Sequence, residues 1–199
     1  PASWKNVGGK FVNANYNRLA PEFIRNVADV IASQNGNDLP VSIFSSMVDG
    51  TIPAGTACYE KRAIAVEVPE WNSDNCIQCN QCSFVCPHSA IRPVLLDEKE
   101  VAAAPKTLKL ADAKQMPAYK YSMVVSTLDC LGCGNCVDIC PAKEKAIVMK
   151  PLETQADEAA NWTATRKVTE KKEAFAENVK GSQFRNPYFE FSGACAGCG

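Results

Sequence analysis

The sequence predicts an α+β fold in which a repeated unit carries the chemistry and the flanks are irregular or helical. Three observations predict it. Two cysteine runs of identical spacing, 76–86 and 130–140, are each bracketed by short apolar segments of strand character. Charged and small residues over 97–117 separate them and read as a partly helical insertion between the halves of a pseudo-twofold pair. The tract from Pro151 to Lys180 is polar and helical in composition, which on its own reads as a solvated helix or linker. With 199 residues the chain can form one medium domain or two small ones. An apolar fraction of 46% and a net charge of −1 exclude overall disorder. The same charge balance lacks the basic excess that non-specific nucleic-acid binding needs.

The first element expected is a helix over about 21–34. Phe23, Ile24, Val27, Val30 and Ile31 form one apolar stripe, Pro21 suits a first turn, and Asn35-Gly36 is a stop signal. Asp49 to Thr56, rich in Gly, Pro and Thr, reads as an ordered loop. Each half-unit then runs strand, cysteine run with a short helical turn, strand. In the first, Ala63–Val68 leads to Cys76–Cys86 and then Ile91–Leu96. In the second, Tyr119–Val125 leads to Cys130–Cys140 and then Ala146–Met149. The last block, 181–199, is rich in aromatic residues (Phe184, Tyr188, Phe189, Phe191) and ends Cys195-Ala-Gly-Cys198-Gly199.

Eleven cysteines against the single histidine His88 set the chemistry. A secreted disulfide scaffold would be shorter and would carry an even count. Cys76-x2-Cys79-x2-Cys82-x3-Cys86-Pro87 and Cys130-x2-Cys133-x2-Cys136-x3-Cys140-Pro141 both follow the spacing of bacterial two-[4Fe–4S] ferredoxins. Three thiolates at x2 spacing wrap one cube, and the fourth reaches the other cluster. That rule assigns Cys76, Cys79, Cys82 and Cys140 to one cluster, and Cys130, Cys133, Cys136 and Cys86 to the other. Crossed ligation ties the halves together, so the clusters contribute to folding. Gly132 and Gly134 let backbone N–H groups approach sulfur. Zinc is the alternative, but it uses two separated C-x2-C pairs and needs no third cysteine at x2 spacing. Cys195 and Cys198 alone leave open a redox pair, half a zinc site or half a further cluster. His88 reads as a surface or capping histidine, with cluster tuning the alternative. Cys58 reads as a small buried hydrophobe. No nucleophile–base pair or phosphate-cradling loop is visible.

The flanks carry a resemblance. Asp49-Gly-Thr-Ile-Pro-Ala-Gly-Thr-Ala-Cys58-Tyr-Glu60-Lys61-Arg62 is similar to the "EKR" linker of single-chain pyruvate:ferredoxin (flavodoxin) oxidoreductases, although cysteine is not expected at position 58. Lys180 to Phe184 and Phe189 to Gly199 resemble the start of that family's thiamine-diphosphate domain. With the two-cluster ferredoxin-like domain between them, the resemblance covers nearly the whole chain. It implies 1–70 as the EKR-type linker, 71–152 as the two-cluster domain, and 153–199 as connector and truncated start of the thiamine domain. It also implies that Cys195 and Cys198 are the first two ligands of a third [4Fe–4S] cluster. The family decarboxylates pyruvate oxidatively with coenzyme A, giving acetyl-CoA and CO2, with thiamine diphosphate and Mg²⁺ in domains outside this sequence. Electrons then pass through the clusters to ferredoxin or flavodoxin. The parent is expected to be a homodimer.

The chain opens at Pro1 and ends directly after a ligand pair, which is expected of a piece of a longer protein. No leader opens it and no stretch approaches 18 consecutive apolar residues. A soluble, cytoplasmic protein in a reducing or anaerobic compartment is expected, with no membrane or nucleic-acid partner. A stand-alone two-cluster electron carrier and an NADP-linked fused form of the enzyme are the alternatives.

Overall fold

The computed structural model describes residues 20–54, 56, 59 and 63–186. The expectations for Cys58, Glu60-Lys61-Arg62, the 188–191 aromatics, Cys195 and Cys198 lie outside the described residues. The chain divides into two compact units, 1–61 and 62–199.

In the first unit the predicted helix forms, wound as a π-helix over Ile24–Ala28 and as α1 over Asp29–Ala32. Ile24 and Val27 of the apolar stripe are buried, but Ile31 is half exposed. The helix ends at Gln34, which takes the left-handed conformation (φ 64°) expected of Gly36. Short 3₁₀ turns follow at Gly36–Asp38 and Val41–Phe44. The Asp49 carboxylate accepts the Thr51 N–H at 3.0 Å and orders the next loop.

The second unit has two small antiparallel sheets, one pairing β1 (Glu67–Trp71) with β5 (Ile147–Pro151). In the other, β4 (Lys120–Val125) lies between β2 (Ile91–Leu96) and β3 (Ala111–Asp112). The register sets Trp71 opposite Ile147 and Ile91 opposite Val125. Each principal pairing therefore joins a strand beside the first cysteine run to a strand beside the second. Three strands fall on the apolar segments expected of them. The first starts later than the predicted Ala63–Val68, because Ala63 is left-handed (φ 50°) and Ile64 and Val66 face solvent. Pro69 stays inside β1 because a two-stranded sheet leaves each strand one free edge, where a missing N–H is harmless.

The core between the cysteine runs is formed by Trp71, Ile91, Leu95, Tyr121, Met123, Val125 and Ile147 with Cys82 and Cys136. Each fully buried aliphatic side chain there contributes roughly 1.5–3 kcal/mol. The Trp71 and Tyr121 rings meet edge-on at 5.7 Å, and Tyr121 and Phe184 at 6.3 Å.

The 97–117 insertion is partly helical as expected. α3 (Glu98–Ala103) opens on a capping box, Asp97 accepting the Glu100 N–H and Glu100 the Asp97 N–H, both at 2.9 Å. The tract after β5 is less solvated than its composition suggests. Within α5 (Glu158–Thr165), Trp162 is buried with Leu96, Leu108 and Val124. Lys171, its side chain 9% exposed, bonds Glu100 at 2.8 Å and lies over the Tyr119 ring.

Candidate metal centres

Each cysteine run forms a loop followed by a single helical turn, α2 (Gln81–Phe84) in the first and α4 (Asn135–Asp138) in the second. The turns place Cys82 and Cys136 in the core, while the other thiols open toward two cavities. One cavity is lined by Cys76, Cys79, Cys82 and Cys140, with Ile77, Met123 and Ile147 as apolar wall. The other is lined by Cys86, Cys130, Cys133 and Cys136, with Ile91, Val125 and Leu131. The fourth cysteine of each run thus lies at the cavity of the other run. His88, half buried, also lines the second cavity.

Backbone N–H groups already point at three of these sulfurs. Gln78 donates to Cys76 Sγ at 3.4 Å, Gly132 to Cys130 Sγ at 3.3 Å and Ala90 to Cys86 Sγ at 3.3 Å. The first two depend on left-handed residues at the same place in each run, Gln78 (φ 59°) and Gly132 (φ 70°). A second left-handed pair, Asn80 (φ 61°) and Gly134 (φ 79°), caps α2 and α4.

Gln78 and Asn80 shape the first loop, and the spacing did not single them out. Gln78 donates to the Asp112 carbonyl and accepts from the Lys114 N–H, both at 2.8 Å. Asn80 donates to the Lys180 carbonyl and accepts from the Tyr121 hydroxyl, again at 2.8 Å. Aligning the two runs reveals them, since each stands where the other run has glycine.

Burial dominates the electrostatics. It pushes the Cys82 thiol far above its ordinary pKa, with Cys76, Cys136 and Cys79 acting the same way. Burial, then Cys130, Cys86 and Cys133, push Cys136 up to about 12. Burial raises Cys130 also, against the Gly132 N–H. The Tyr121 phenol is held protonated by burial and by the thiols around Cys76.

Two rings of four soft donors, apolar walls and amides aimed at sulfur fit iron–sulfur clusters. Among the described residues, no three Cys, His, Asp or Glu side chains gather closely enough to share one ion. A cluster takes each thiolate on a different iron and needs no such convergence.

Two family profiles match the chain. A domain of unknown function, EKR, matches residues 12–65, and a 4Fe-4S double cluster binding domain matches residues 75–143. The chain carries a ferredoxin-type iron–sulfur domain that holds two [4Fe–4S] clusters.

Relatives extend the match to the flanks. A pyruvate-flavodoxin oxidoreductase of Klebsiella pneumoniae is 49% identical over 200 residues, spanning 100% of this chain and 17% of the relative. A pyruvate:ferredoxin oxidoreductase of Moorella thermoacetica is 54% identical over 183 residues, 90% of this chain and 16% of the relative. A pyruvate dehydrogenase [NADP(+)] of Cryptosporidium parvum is 43% identical, covering 89% of this chain and 9% of the relative. The chain is homologous over its whole length to a stretch of the pyruvate:ferredoxin (flavodoxin) oxidoreductases, and spans about a sixth of the length of the first two relatives. Among the described residues no helix is long and apolar enough to cross a membrane.

Proposed function

We propose that this chain is the electron-relay segment of a pyruvate:ferredoxin oxidoreductase, which oxidatively decarboxylates pyruvate with coenzyme A to acetyl-CoA and CO2. In this reading Cys76, Cys79, Cys82 and Cys140 hold one [4Fe–4S] cluster, and Cys130, Cys133, Cys136 and Cys86 the other. The clusters, when bound, accept and release single electrons. The chain's own part is to hold the thiolates, to exclude water with the Trp71–Tyr121–Met123 core, and to direct amide N–H groups at sulfur. Residues 71–152 form the cluster domain, its halves a pseudo-twofold repeat interrupted by 97–117. Residues 1–70 are the EKR-type linker, and 153–199 lead to the thiamine-diphosphate domain. There Cys195 and Cys198 are the first ligands of a third cluster. Ferredoxin or flavodoxin is the acceptor, the parent is a homodimer, and the compartment is a reducing cytoplasm. The name of the Cryptosporidium relative favours a second reading, delivery of the same electrons to NADP.

The observation that carries the ligand reading is the exchange of fourth cysteines, Cys86 and Cys140, between the two cavities. The chain reconstituted anaerobically should bind about eight irons and eight sulfides, with coupled signals in the electron paramagnetic resonance (EPR) spectrum of the reduced protein. Cys86→Ser should perturb the cluster of the second run, and Cys140→Ser that of the first. Zinc at one or two per chain, or each serine disturbing its own run's cluster, overturns the assignment. Reduction of ferredoxin by the full-length parent, given pyruvate and coenzyme A, tests the enzyme reading separately.

A further inference from the structure

Residues 179–185 cross the first cysteine run as a strap that begins with the single turn α6 (Val179–Ser182). The strap is held by its main chain. Asn80 Nδ2 donates to the Lys180 carbonyl at 2.8 Å, and the Arg92 guanidinium donates to the Gln183 carbonyl at 2.6 Å and to the Arg185 carbonyl. Ser83 Oγ donates to Gln183 Oε1 at 2.9 Å, and Arg92 bonds both groups, at 3.2 and 3.0 Å. All three gripping side chains are buried, so water competes little for these bonds.

The same residues shape the first cavity. Asn80 lines it, between Cys79 and Cys82, and Ser83 follows Cys82 in α2. The left-handed backbone of Asn80 (φ 61°) persists only where its surroundings hold it. Ligation at Cys79 and Cys82 pins the residue between them and keeps the Asn80 amide at the Lys180 carbonyl. A metal site is rarely preformed without its metal, so binding free energy there is also folding free energy. The counterparts of Asn80, Ser83 and Arg92 in the second half are Gly134, Val137 and Val148, whose side chains donate no hydrogen bond.

We propose that Asn80, Ser83 and Arg92 are positioning residues that couple loading of the first cluster to docking of the strap. The chain that runs on beyond Arg185 is then set in place only when the first site is filled. The coupling is reciprocal, so the docked strap stabilises the first cluster by the same factor. The inference rests on the reading that each run holds a cluster, in which the strap leads to the thiamine-diphosphate domain.

The test is amide hydrogen exchange of the cluster-loaded chain, read by mass spectrometry over 179–185 with α5 as internal reference. Cys76→Ala with Cys79→Ala removes the first cluster, and Cys130→Ala with Cys133→Ala the second, whichever way the fourth cysteines are shared. Strap exchange should quicken about tenfold in the first pair and stay within about twofold of the unmutated chain in the second. Asn80→Gly keeps the left-handed backbone and removes the grip. Its strap should exchange about tenfold faster with both clusters bound, and an iron chelator should strip its first cluster sooner than its second. Arg92→Met should behave likewise. Where an alanine pair loses both clusters or Arg92→Met does not fold, Asn80→Gly decides. Equal strap exchange in the two alanine pairs, or a strap in Asn80→Gly as protected as in the unmutated chain, overturns the proposal. Failure of the cluster reading is distinguishable, because the unmutated chain would then not bind about eight irons.

Discussion

The two cysteine loops reach the same backbone conformation by different means. In the second, glycine supplies it. A Cβ at Gly132 would lie 2.9 Å from the Glu67 carbonyl oxygen, so β1 approaches too closely for any side chain, and φ is positive as well. In the first, Gln78 and Asn80 adopt the same left-handed angles with full side chains. Their strain, of order 1 kcal/mol each, is offset by buried amide hydrogen bonds to Asp112, Lys114, Tyr121 and Lys180. Those partners belong to the insertion, to β4 and to the tract after β5. One loop is shaped by what it lacks and the other by what surrounds it. The difference also explains why the insertion and the C-terminal tract fold onto the first run.

The comparison breaks most sharply at Asn80. Asn80→Ala strands the Tyr121 hydroxyl and the Lys180 carbonyl, and should destabilise the chain by about 3 kcal/mol, read as a lower urea midpoint. Asn80→Gly should recover only the backbone part, of order 1 kcal/mol. If Asn80→Gly is as stable as the unmutated chain, the side chain is not what anchors the first loop.

Gly132→Ala comes next, at about 2 kcal/mol, because both the contact with Glu67 and the left-handed angle oppose a Cβ. Gly134→Ala should cost about 1 kcal/mol, since its Cβ would meet nothing within 4 Å and only the angle opposes it. Thermal melts of the pair separate close approach from backbone strain, and equal losses would remove the role given to β1.

The smallest effect sets the thiols of the two loops against each other. In iron-free protein Cys136 is raised from an ordinary 9.0 to about 12, and Cys82 further. A thiol raised by folding stabilises the fold fully below its unfolded pKa, and that contribution fades as pH climbs toward the folded value. The urea midpoint of iron-free protein should therefore decline above pH 9. Alkylation followed by mass spectrometry should mark Cys136 before Cys82. The reverse order would contradict the larger upward push on Cys82.

Much of this was legible in the residues. The spacing of the two runs supplied the cavities' eight thiols, and the apolar segments located β2, β4 and β5 within two residues. The start of β1 was obscured because Ile64 and Val66 are apolar yet exposed, and because Pro69 reads as a breaker unless the sheet is known to have two strands. The role of Asn80 was hidden for a different reason. Its partners stand 41 and 100 residues away, and no local pattern encodes them. Arg92 was hidden likewise, since the Gln183 and Arg185 carbonyls that accept from it stand 91 and 93 residues away.

The nesting of the sheets has a consequence for how the protein is made. Glu67 pairs with Pro151, and β2 pairs with β4 inside that span. At roughly 5–20 residues per second, a ribosome finishes β5 some 4–17 s after β1 has left the active centre. For roughly 3–12 s of it, the 58 residues between Cys82 and Cys140, the earlier thiols wait without the last cysteine lining their cavity, exposed to any oxidant or stray metal ion they meet. The first cavity is thus complete only once Cys140 has been made, and a synonymous pause between the two runs would lengthen the wait without changing a single residue.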